Sequence, residues 1–269
     1  MPAPGGLFIG RGKPLPCLGF FHANPQPDLD DVTQLAVREL PLFPLPDVVL
    51  FPQEVLPLHI FEPRYRMMLR TVLESDRRFG VVRWDPQEGA MAEVGCCAEI
   101  LQHQTQPDDR SNIVTLGQQR FRLLEVVREA PFKVGLVSWI EDEQPDNHDA
   151  LSQLATEVTS ALRDVVELTG KLMGKPTSLP NDLPDLPREL SFWIGSHLGG
   201  PVADQQQALL EITDTHERLQ QEFELLDETR RQLAARTVLQ DTFRDLEGSG
   251  DSARDDSSRD NSDRNDVER

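Results

Sequence analysis

The chain has 269 residues, of which 38% are hydrophobic, and it carries a formal net charge of −19 at pH 7. Acidic residues outnumber basic ones in every segment, which disfavours a nucleic-acid partner and an anionic membrane surface because both attract positive charge. No apolar run approaches the roughly eighteen residues that span a bilayer, and three cysteines, two of them adjacent, indicate a reduced, cytoplasmic protein.

Residues 1–37 are rich in glycine and proline and show no sustained periodicity, so we predict a disordered leader there. Arg11 and Lys13 precede a short apolar stretch that faintly resembles a secretion signal. Pro16 and Gly19 interrupt that stretch and no clear cleavage site follows, which argues against secretion.

Residues 38–61 contain three short apolar runs that are separated by prolines and by Asp47. The runs cover residues 40–45, 48–51 and 55–61, and each predicts a short strand. Because proline donates no hydrogen bond, residues such as Pro57 suit strand starts, edges or bulges. The segment therefore favours a small, irregular barrel over a flat, open sheet.

The periodicity changes at Pro63, which suits the first position of a helix. Glu62 and Arg66 lie four residues apart, as do Arg70 and Glu74, so we expect each pair to interact along the helix. Apolar residues recur on one face of it, namely Tyr65, Met68, Leu69, Val72 and Leu73.

Further apolar runs complete a β-rich part that we place at residues 38–145. Gly117 separates two of these runs, and we expect a bulge or a tight bend there. An acidic, proline-bearing segment at residues 141–149 marks the junction to the next part. The runs cover residues 79–84, 94–104, 113–116, 121–127 and 132–140.

Residues 146–246 change to helical spacing and predict a bundle of helices. We expect a long helix from Ala150, a short one ending before Gly199, a third capped by Asp204 and another long one from Asp214. Residues 247–269 hold almost no apolar side chain, so we predict a disordered, acidic tail.

The chain resembles the Lon N-terminal domain family, which is the substrate-binding region of the ATP-dependent Lon protease. The resemblance covers roughly residues 38–246, and the matching segments occur in the family's order. They are ELPLFPLPDVVLFPQEVLPLHIFEPRY (39–65), FGVVRW (79–84), VGCCAEI (94–100), GQQRFRLLEV (117–126) and LLEITDTHERLQ (209–220). The ending QLAARTVLQDTF resembles a stand-alone, cyanobacterial form of the family.

This resemblance implies an α+β fold in which a PUA-like pseudo-barrel of β-strands is followed by a C-terminal helical bundle. In Lon, the region helps to capture unfolded or tagged proteins. The resemblance therefore implies a role in handling other proteins.

The nucleotide-binding and proteolytic segments of Lon have no counterpart in this sequence. A P-loop ends in Gly-Lys followed by Ser or Thr, whose hydroxyl holds Mg²⁺, but here Leu172 follows Gly170-Lys171 and Pro176 follows Gly174-Lys175. No Ser–Lys protease domain, G-x-S-x-G motif or distinctive acid–base pair is found either. We therefore predict that the chain is not an enzyme and uses no cofactor.

Cys96 and Cys97, with His103 nearby, raise the alternatives of a metal site and of a redox-active thiol pair. A zinc site needs a second pair of ligands that this spacing does not supply. The simpler interpretation is a strand on which one cysteine faces the core and the other the surface. We predict that the isolated histidines His59, His197 and His216 are core residues.

The candidate binding site consists of Phe61, Arg64, Tyr65 and Arg66. Two interpretations remain open. The polar residues either fix the first helix to the barrel by capping and ion pairs, or the aromatic residues border a groove for extended or unfolded peptides. An acidic rim on that groove would favour basic, apolar segments.

We thus predict a non-enzymatic module that binds proteins or peptides, as an adaptor or client-binding factor in protein quality control. Its expected partners are unfolded or specific client proteins and a protease machine. The alternative is a PUA-like module for small molecules or RNA, although the acidic balance of residues 38–145 argues against RNA. The heptad-like stripe after Asp214 is short and impure, so we expect a monomer or a weak dimer.

Overall fold

The computed structural model describes residues 37–199 and 202–251, with side chains as far as residue 240. Within these ranges the chain forms seven strands and five helices. The strands are β1 (Val37–Pro46), β2 (Val55–Ile60), β3 (Arg78–Asp85), β4 (Ala90–Met91), β5 (Val94–Thr105), β6 (Ser111–Arg128) and β7 (Val134–Ile140). The helices are α1 (Pro63–Leu73), α2 (His148–Met173), α3 (Pro187–His197), α4 (Ala203–Glu211) and α5 (Thr215–Asp251).

The strands form a closed ring in the order β1, β7, β6, β5 and β3. A parallel pairing closes it, because residues Leu42 to Pro46 of β1 lie opposite Gly80 to Trp84 of β3. The other pairings are antiparallel; β2 is added to β6, and β4 forms a hairpin with β3. The predicted α+β fold, with a β pseudo-barrel followed by helices, is confirmed.

The segment at residues 48–51, which the sequence predicts as a strand, is a buried connection without strand pairing. It lies across β6 so closely that a Cβ atom on Gly117 would approach the Phe51 carbonyl oxygen to 1.9 Å. The Gly117 N–H donates to the Glu54 carbonyl at 2.8 Å and thereby fixes the crossing. Gly117 lies inside the continuous strand β6, where its lack of a side chain permits this close approach.

Helix α1 begins at Pro63, as predicted, and packs against one end of the barrel. Its buried face consists of the predicted residues Tyr65, Met68, Leu69 and Val72. These side chains share a core with barrel residues such as Phe43, Phe79 and Ile113. The helix therefore covers the barrel end at which β1 and β2 finish.

The helical part has its own core and also packs on the barrel. Leu154, Val158 and Leu162 of α2 are buried together with Leu219 and Leu226 of α5. A further cluster joins the two parts, with Val49, Phe51, Val94 and Ile140 from the β part and Phe192, Leu209 and Leu210 from the helices.

The polar contacts of α4 differ from the predicted ones. Asp204 is not the N-cap residue; Val202 takes that position, without a side-chain hydrogen bond. Asp204 lies in the first turn and forms an ion pair with Arg83 of β3 at 2.6 Å. The contact therefore links a helix to the barrel instead of capping it.

The ends of the chain lie largely outside the described residues. The predicted leader is described only at Val37, which already belongs to β1. Helix α5 continues to Asp251, beyond residue 247, where the sequence predicts the acidic tail to begin. None of the helices within the described ranges is long and apolar enough to cross a membrane.

Candidate functional site

A groove of about 730 Å³, which we call the β1–β2 groove, lies at the barrel end covered by α1. Its walls come from three segments that are distant in the sequence: the end of β1, the end of β2 and the turn before β7. The lining residues are 43–46, 58–62, Arg64, Tyr65, Trp84, Glu129 and 131–133.

The groove is rich in aromatic side chains that differ in exposure. Phe61 is 58% exposed and stacks on the His59 ring with a centroid distance of 6.0 Å. The His59 ring is held by a 2.7 Å hydrogen bond between its Nδ1 and Asn112 Oδ1. Tyr65 is only 7% exposed and meets the Phe43 ring edge-on at 4.3 Å. Tyr65 therefore belongs to the core, whereas Phe61 projects from the wall of the groove.

The charged residues of the β1–β2 groove neutralise one another. Arg64 Nε donates to Glu62 Oε2 at 2.9 Å, and its guanidinium lies 4.5 Å from the centre of the Tyr65 ring. Glu129 and Lys133 form a second ion pair. The acidic and basic side chains of the lining are therefore balanced, so the groove does not have the acidic rim that would favour basic segments. Burial raises the pKa of Tyr65, with a smaller opposing contribution from Arg64.

Arg66 does not line the groove, unlike the other three predicted site residues. Its side chain forms an ion pair with Asp109 at 3.5 Å, and Arg70 shares the same carboxylate at 2.6 Å. The predicted pair of Glu62 with Arg66 is therefore wrong, because the loop before β6 supplies the partner instead. Phe61, Arg64 and Tyr65 remain the candidate binding residues.

The adjacent cysteines are buried on both faces of β5, at 0% and 1% exposure. Cys96 belongs to the core beneath α1 and Cys97 to a separate apolar cluster, so the predicted surface-facing cysteine is wrong. Burial raises the pKa of Cys97 to about 11 and that of Cys96 well above its ordinary value. Neither thiol is thus readily ionised, and in the described part of the chain no group of three or more acidic, histidine or cysteine side chains could hold a metal ion.

The three isolated histidines are exposed rather than buried. His59 is positioned by Asn112, and His197 stacks on Trp193 at 4.0 Å. The prediction of core histidines is therefore wrong, because all three residues are exposed at the surface.

A buried charge cluster, absent from the predicted sites, joins the barrel to the helices. Arg120 of β6 and Arg218 of α5 are 1% and 0% exposed, and both bind Asp142, which lies just after β7. Arg218 also donates to Ser191 Oγ at 2.8 Å, and Thr215 Oγ1 donates to Asp142 at 2.9 Å. Burial lowers the pKa of Arg120 to about 10, although Asp142 opposes the shift.

This cluster has a structural role, because its bonds are satisfied internally. Arg120 and Arg218 both donate to the Ile212 carbonyl, at 2.6 Å and 2.7 Å. Their guanidinium groups lie 5.1 Å and 4.1 Å from the Phe192 ring centre. The sequence signal for this cluster is that Arg120 and Arg218 each lie within a segment that resembles the Lon family.

The family model of the ATP-dependent protease La (LON) substrate-binding domain matches residues 39–228. The chain is 28% identical over 207 residues to "Lon protease 2" of Myxococcus xanthus, and 31% identical over 196 residues to the Lon protease of Xanthomonas oryzae pv. oryzae. These alignments cover 75% and 70% of this chain but only 24% and 23% of the two relatives. The chain thus spans about a quarter of the length of the curated relatives that it matches.

Solved structures show the same relationship. The Lon N-terminal domain protein from Xanthomonas campestris superposes with a TM-score of 0.52 at 27% identity, covering 68% of this chain and 96% of that one. The N-terminal domain of the Mycobacterium avium complex Lon protease superposes with a TM-score of 0.54 at 18% identity, which shows a likeness of fold. Since the family model extends from β1 into α5, the chain belongs to the LON substrate-binding domain family.

Proposed function

We propose that this chain binds extended or unfolded polypeptide segments in the β1–β2 groove, as a non-catalytic client-recognition module. The observation that carries the proposal is the groove itself: a cleft of about 730 Å³ whose walls are aromatic and aliphatic and whose charges are paired. Apolar patches rimmed by polar groups on a soluble domain are typical binding surfaces.

The family relationship supports a polypeptide ligand. The matching family is described as the substrate-binding domain of an ATP-dependent protease, and the relatives are named Lon proteases. A protease acts on polypeptides, so a domain that binds its substrates must recognise features of protein chains. An apolar groove that accepts unfolded segments satisfies that requirement.

Phe61 is the residue that we expect to contribute most to client binding. It is 58% exposed without a ligand, and its ring is oriented by the stacking on His59. Removing a Phe side chain from water stabilises a complex by roughly 1.5–3 kcal/mol when burial is complete. Because the ring is already partly covered, we expect about half of that effect.

Titration of a fluorescently labelled client tests the proposal. The client is a reduced and carboxymethylated protein that stays unfolded in buffer, and anisotropy reports binding. We expect Phe61→Ala to weaken binding about tenfold, which corresponds to about 1.4 kcal/mol. Leu101→Ala is the matched control, since Leu101 is 49% exposed on β5 and lies outside the groove. Equal affinities of the two variants would show that clients bind elsewhere.

The same protein also allows the RNA alternative to be tested. Filter retention of a single-stranded RNA at low salt, lost as salt increases, would favour the PUA-like RNA-binding function. We expect no such retention, because acidic residues outnumber basic ones throughout the chain.

A role as an adaptor in protein quality control forms the finer part of the proposal. A client-binding module of this family would deliver its clients to a protease machine. Addition of the chain to purified Lon should therefore change the degradation rate of a bound client, and Phe61→Ala should reduce the change. An unchanged rate with a client that does bind would remove the adaptor role and leave client binding intact.

A further inference from the structure

Strand β2 has a free edge beside the β1–β2 groove. Within the described ranges, β2 pairs with β6 alone, through six residues from Val55 to Ile60. Its last residues, Leu58, His59 and Ile60, line the groove. An unpaired strand edge presents a row of backbone groups that can pair with another chain.

The hydrogen-bond pattern shows which backbone groups are free. The Gly117 N–H donates to the Glu54 carbonyl at 2.8 Å, and Thr115 Oγ1 donates to the Leu56 carbonyl at 2.8 Å. Glu54 and Leu56 therefore direct their carbonyls towards β6. In an antiparallel strand, every second residue directs its backbone N–H and carbonyl to the same edge. The residues that direct their backbone groups away from β6 are therefore Val55, Pro57 and His59.

Pro57 fits this assignment, since its missing N–H would interrupt the pairing if it faced β6. Of the three outward-facing residues, His59 is the one that lines the groove. Its N–H and its carbonyl both face the open side of the strand. The β2 wall thus offers one backbone donor and one acceptor at the groove.

The opposite wall lacks donors. The Leu42 N–H donates to the Lys133 carbonyl at 2.9 Å, so Leu42 faces the β7 side of β1. By the same alternation, Pro44 and Pro46 direct their carbonyls to that side, where the groove lies. Neither has an N–H, so this wall presents only acceptors. The backbone of the groove therefore matches a ligand that is itself rich in N–H donors.

We propose that a client segment binds in the β1–β2 groove as an added strand on the free edge of β2, paired through the His59 backbone. This inference rests on the proposed function and names the class of segment recognised: an extended, uncharged, proline-free stretch with apolar side chains at every second position. The charges of the groove favour an uncharged segment, because Glu62 is paired with Arg64 and Glu129 with Lys133. The carbonyls of His59, Pro44 and Pro46 can accept hydrogen bonds from the backbone N–H groups of such a segment.

The side-chain preference follows from strand geometry. In an extended strand, alternate side chains point to the same face. One set of side chains would contact Phe61, Tyr65 and Phe132, while the other would face solvent. The backbone pairing supplies affinity that does not depend on sequence, and the alternate apolar positions supply selectivity.

Backbone methylation of the ligand tests the pairing. The probe is a short fluorescein-labelled peptide of alternating Val and Thr, compared with two derivatives that carry N-methyl groups on the Val residues or on the Thr residues. We expect both derivatives to bind more weakly than the parent, and the one whose methyl groups face His59 to lose about tenfold, because the N–H groups of a strand alternate between its two edges and both walls offer carbonyl acceptors. Affinities of both derivatives within about twofold of the parent would overturn the proposal.

Two substitutions at His59 test the protein side. His59→Pro removes the N–H of the free edge, and His59→Ala keeps the N–H while it removes the ring; thermal unfolding establishes that both are folded. We expect His59→Pro to bind the peptide about tenfold more weakly than His59→Ala. Equal affinities of these two variants would overturn strand addition.

The outcomes separate this inference from the proposed function. If Phe61→Ala weakens binding but neither methylation nor His59→Pro does, clients bind in the groove without strand addition. If neither the peptide nor an unfolded protein binds, the proposed function fails as well. Sedimentation identifies the competing occupant: a dimer that His59→Pro dissociates and the peptide cannot disrupt would assign the edge to a second copy of this chain and overturn the proposal.

Discussion

Arg120 of β6 and Asp142, just after β7, form an ion pair whose side chains are 1% and 5% exposed. Arg218 binds the same carboxylate at 2.5 Å from α5. A single carboxylate therefore binds two buried guanidinium groups. These contacts connect the helical part to the barrel.

Loss of this carboxylate should destabilise the protein strongly. We expect Asp142→Asn to lower the free energy of unfolding by about 3–5 kcal/mol, because two guanidinium groups lose their buried counter-charge. Urea denaturation measures the change. Glu99→Gln is the control, since the Glu99–Arg78 pair is 32% and 43% exposed and should contribute about 0–1 kcal/mol. Similar effects of the two substitutions would show that the buried charge cluster contributes no more to stability than an exposed ion pair.

Gly117→Ala should also destabilise the fold, for a steric reason. The new Cβ would lie 1.9 Å from the Phe51 carbonyl oxygen, so the crossing segment would have to move. We expect a loss of about 1–3 kcal/mol in unfolding free energy. Gly199→Ala provides the comparison, because among the described residues no atom beyond its chain neighbours lies within 4 Å of the added Cβ. An unchanged midpoint for Gly117→Ala would contradict the observed crossing.

Glu222 should make stability decrease as pH rises. It is 0% exposed, and among the described residues neither carboxyl oxygen has a hydrogen-bond partner. Burial raises its pKa well above 4.5, and Arg218 opposes this only in part. The folded state therefore retains a proton that the unfolded chain releases above about pH 4.5, so this group's stabilisation is lost as pH rises towards the folded-state pKa.

Glu222→Gln abolishes that titration. We expect the melting temperature of the variant, relative to the wild type, to increase steadily between about pH 5 and about pH 8. Circular dichroism across this range provides the measurement, with the exposed Glu224→Gln as the control. A constant difference in melting temperature would mean that Glu222 titrates normally.

Arg64 and Arg66 should differ in their effect on client binding, although they are two residues apart. Arg64→Ala removes the cation from the Tyr65 ring and leaves Glu62 unpaired, so the groove gains negative charge. We expect about three- to tenfold weaker binding of an uncharged client. Arg66→Ala should bind like the wild type, because its partner is Asp109, outside the groove. Anisotropy titrations would contradict this assignment if the two variants lost affinity equally.

Local pattern was sufficient to predict the first helix. The spacing from Tyr65 to Val72 gave the buried face, and Pro63 gave the start. The closed barrel followed from prolines at strand edges together with a family resemblance. In each case the residues concerned are neighbours in the sequence or belong to one contiguous segment.

Features that depend on distant segments were not predictable in the same way. Residues 48–51 have the apolar composition of a strand, but whether they pair depends on Gly117, some seventy residues later. The partners of Arg120 and Arg66 are set by how β6, α5 and a loop meet. Aromatic residues of the groove could be suspected from sequence, whereas the wall at residues 131–133 could not.

The prolines of the groove have a consequence for solubility. An open strand edge that binds unfolded chains can also promote aggregation, because each added strand presents a new edge to the next one. Pro44 and Pro46 leave the β1 wall without N–H donors, and Pro57 removes one donor from the free edge of β2. Under the proposed strand addition, such an edge would hold a short segment through a few hydrogen bonds and would offer too few donors to continue a sheet.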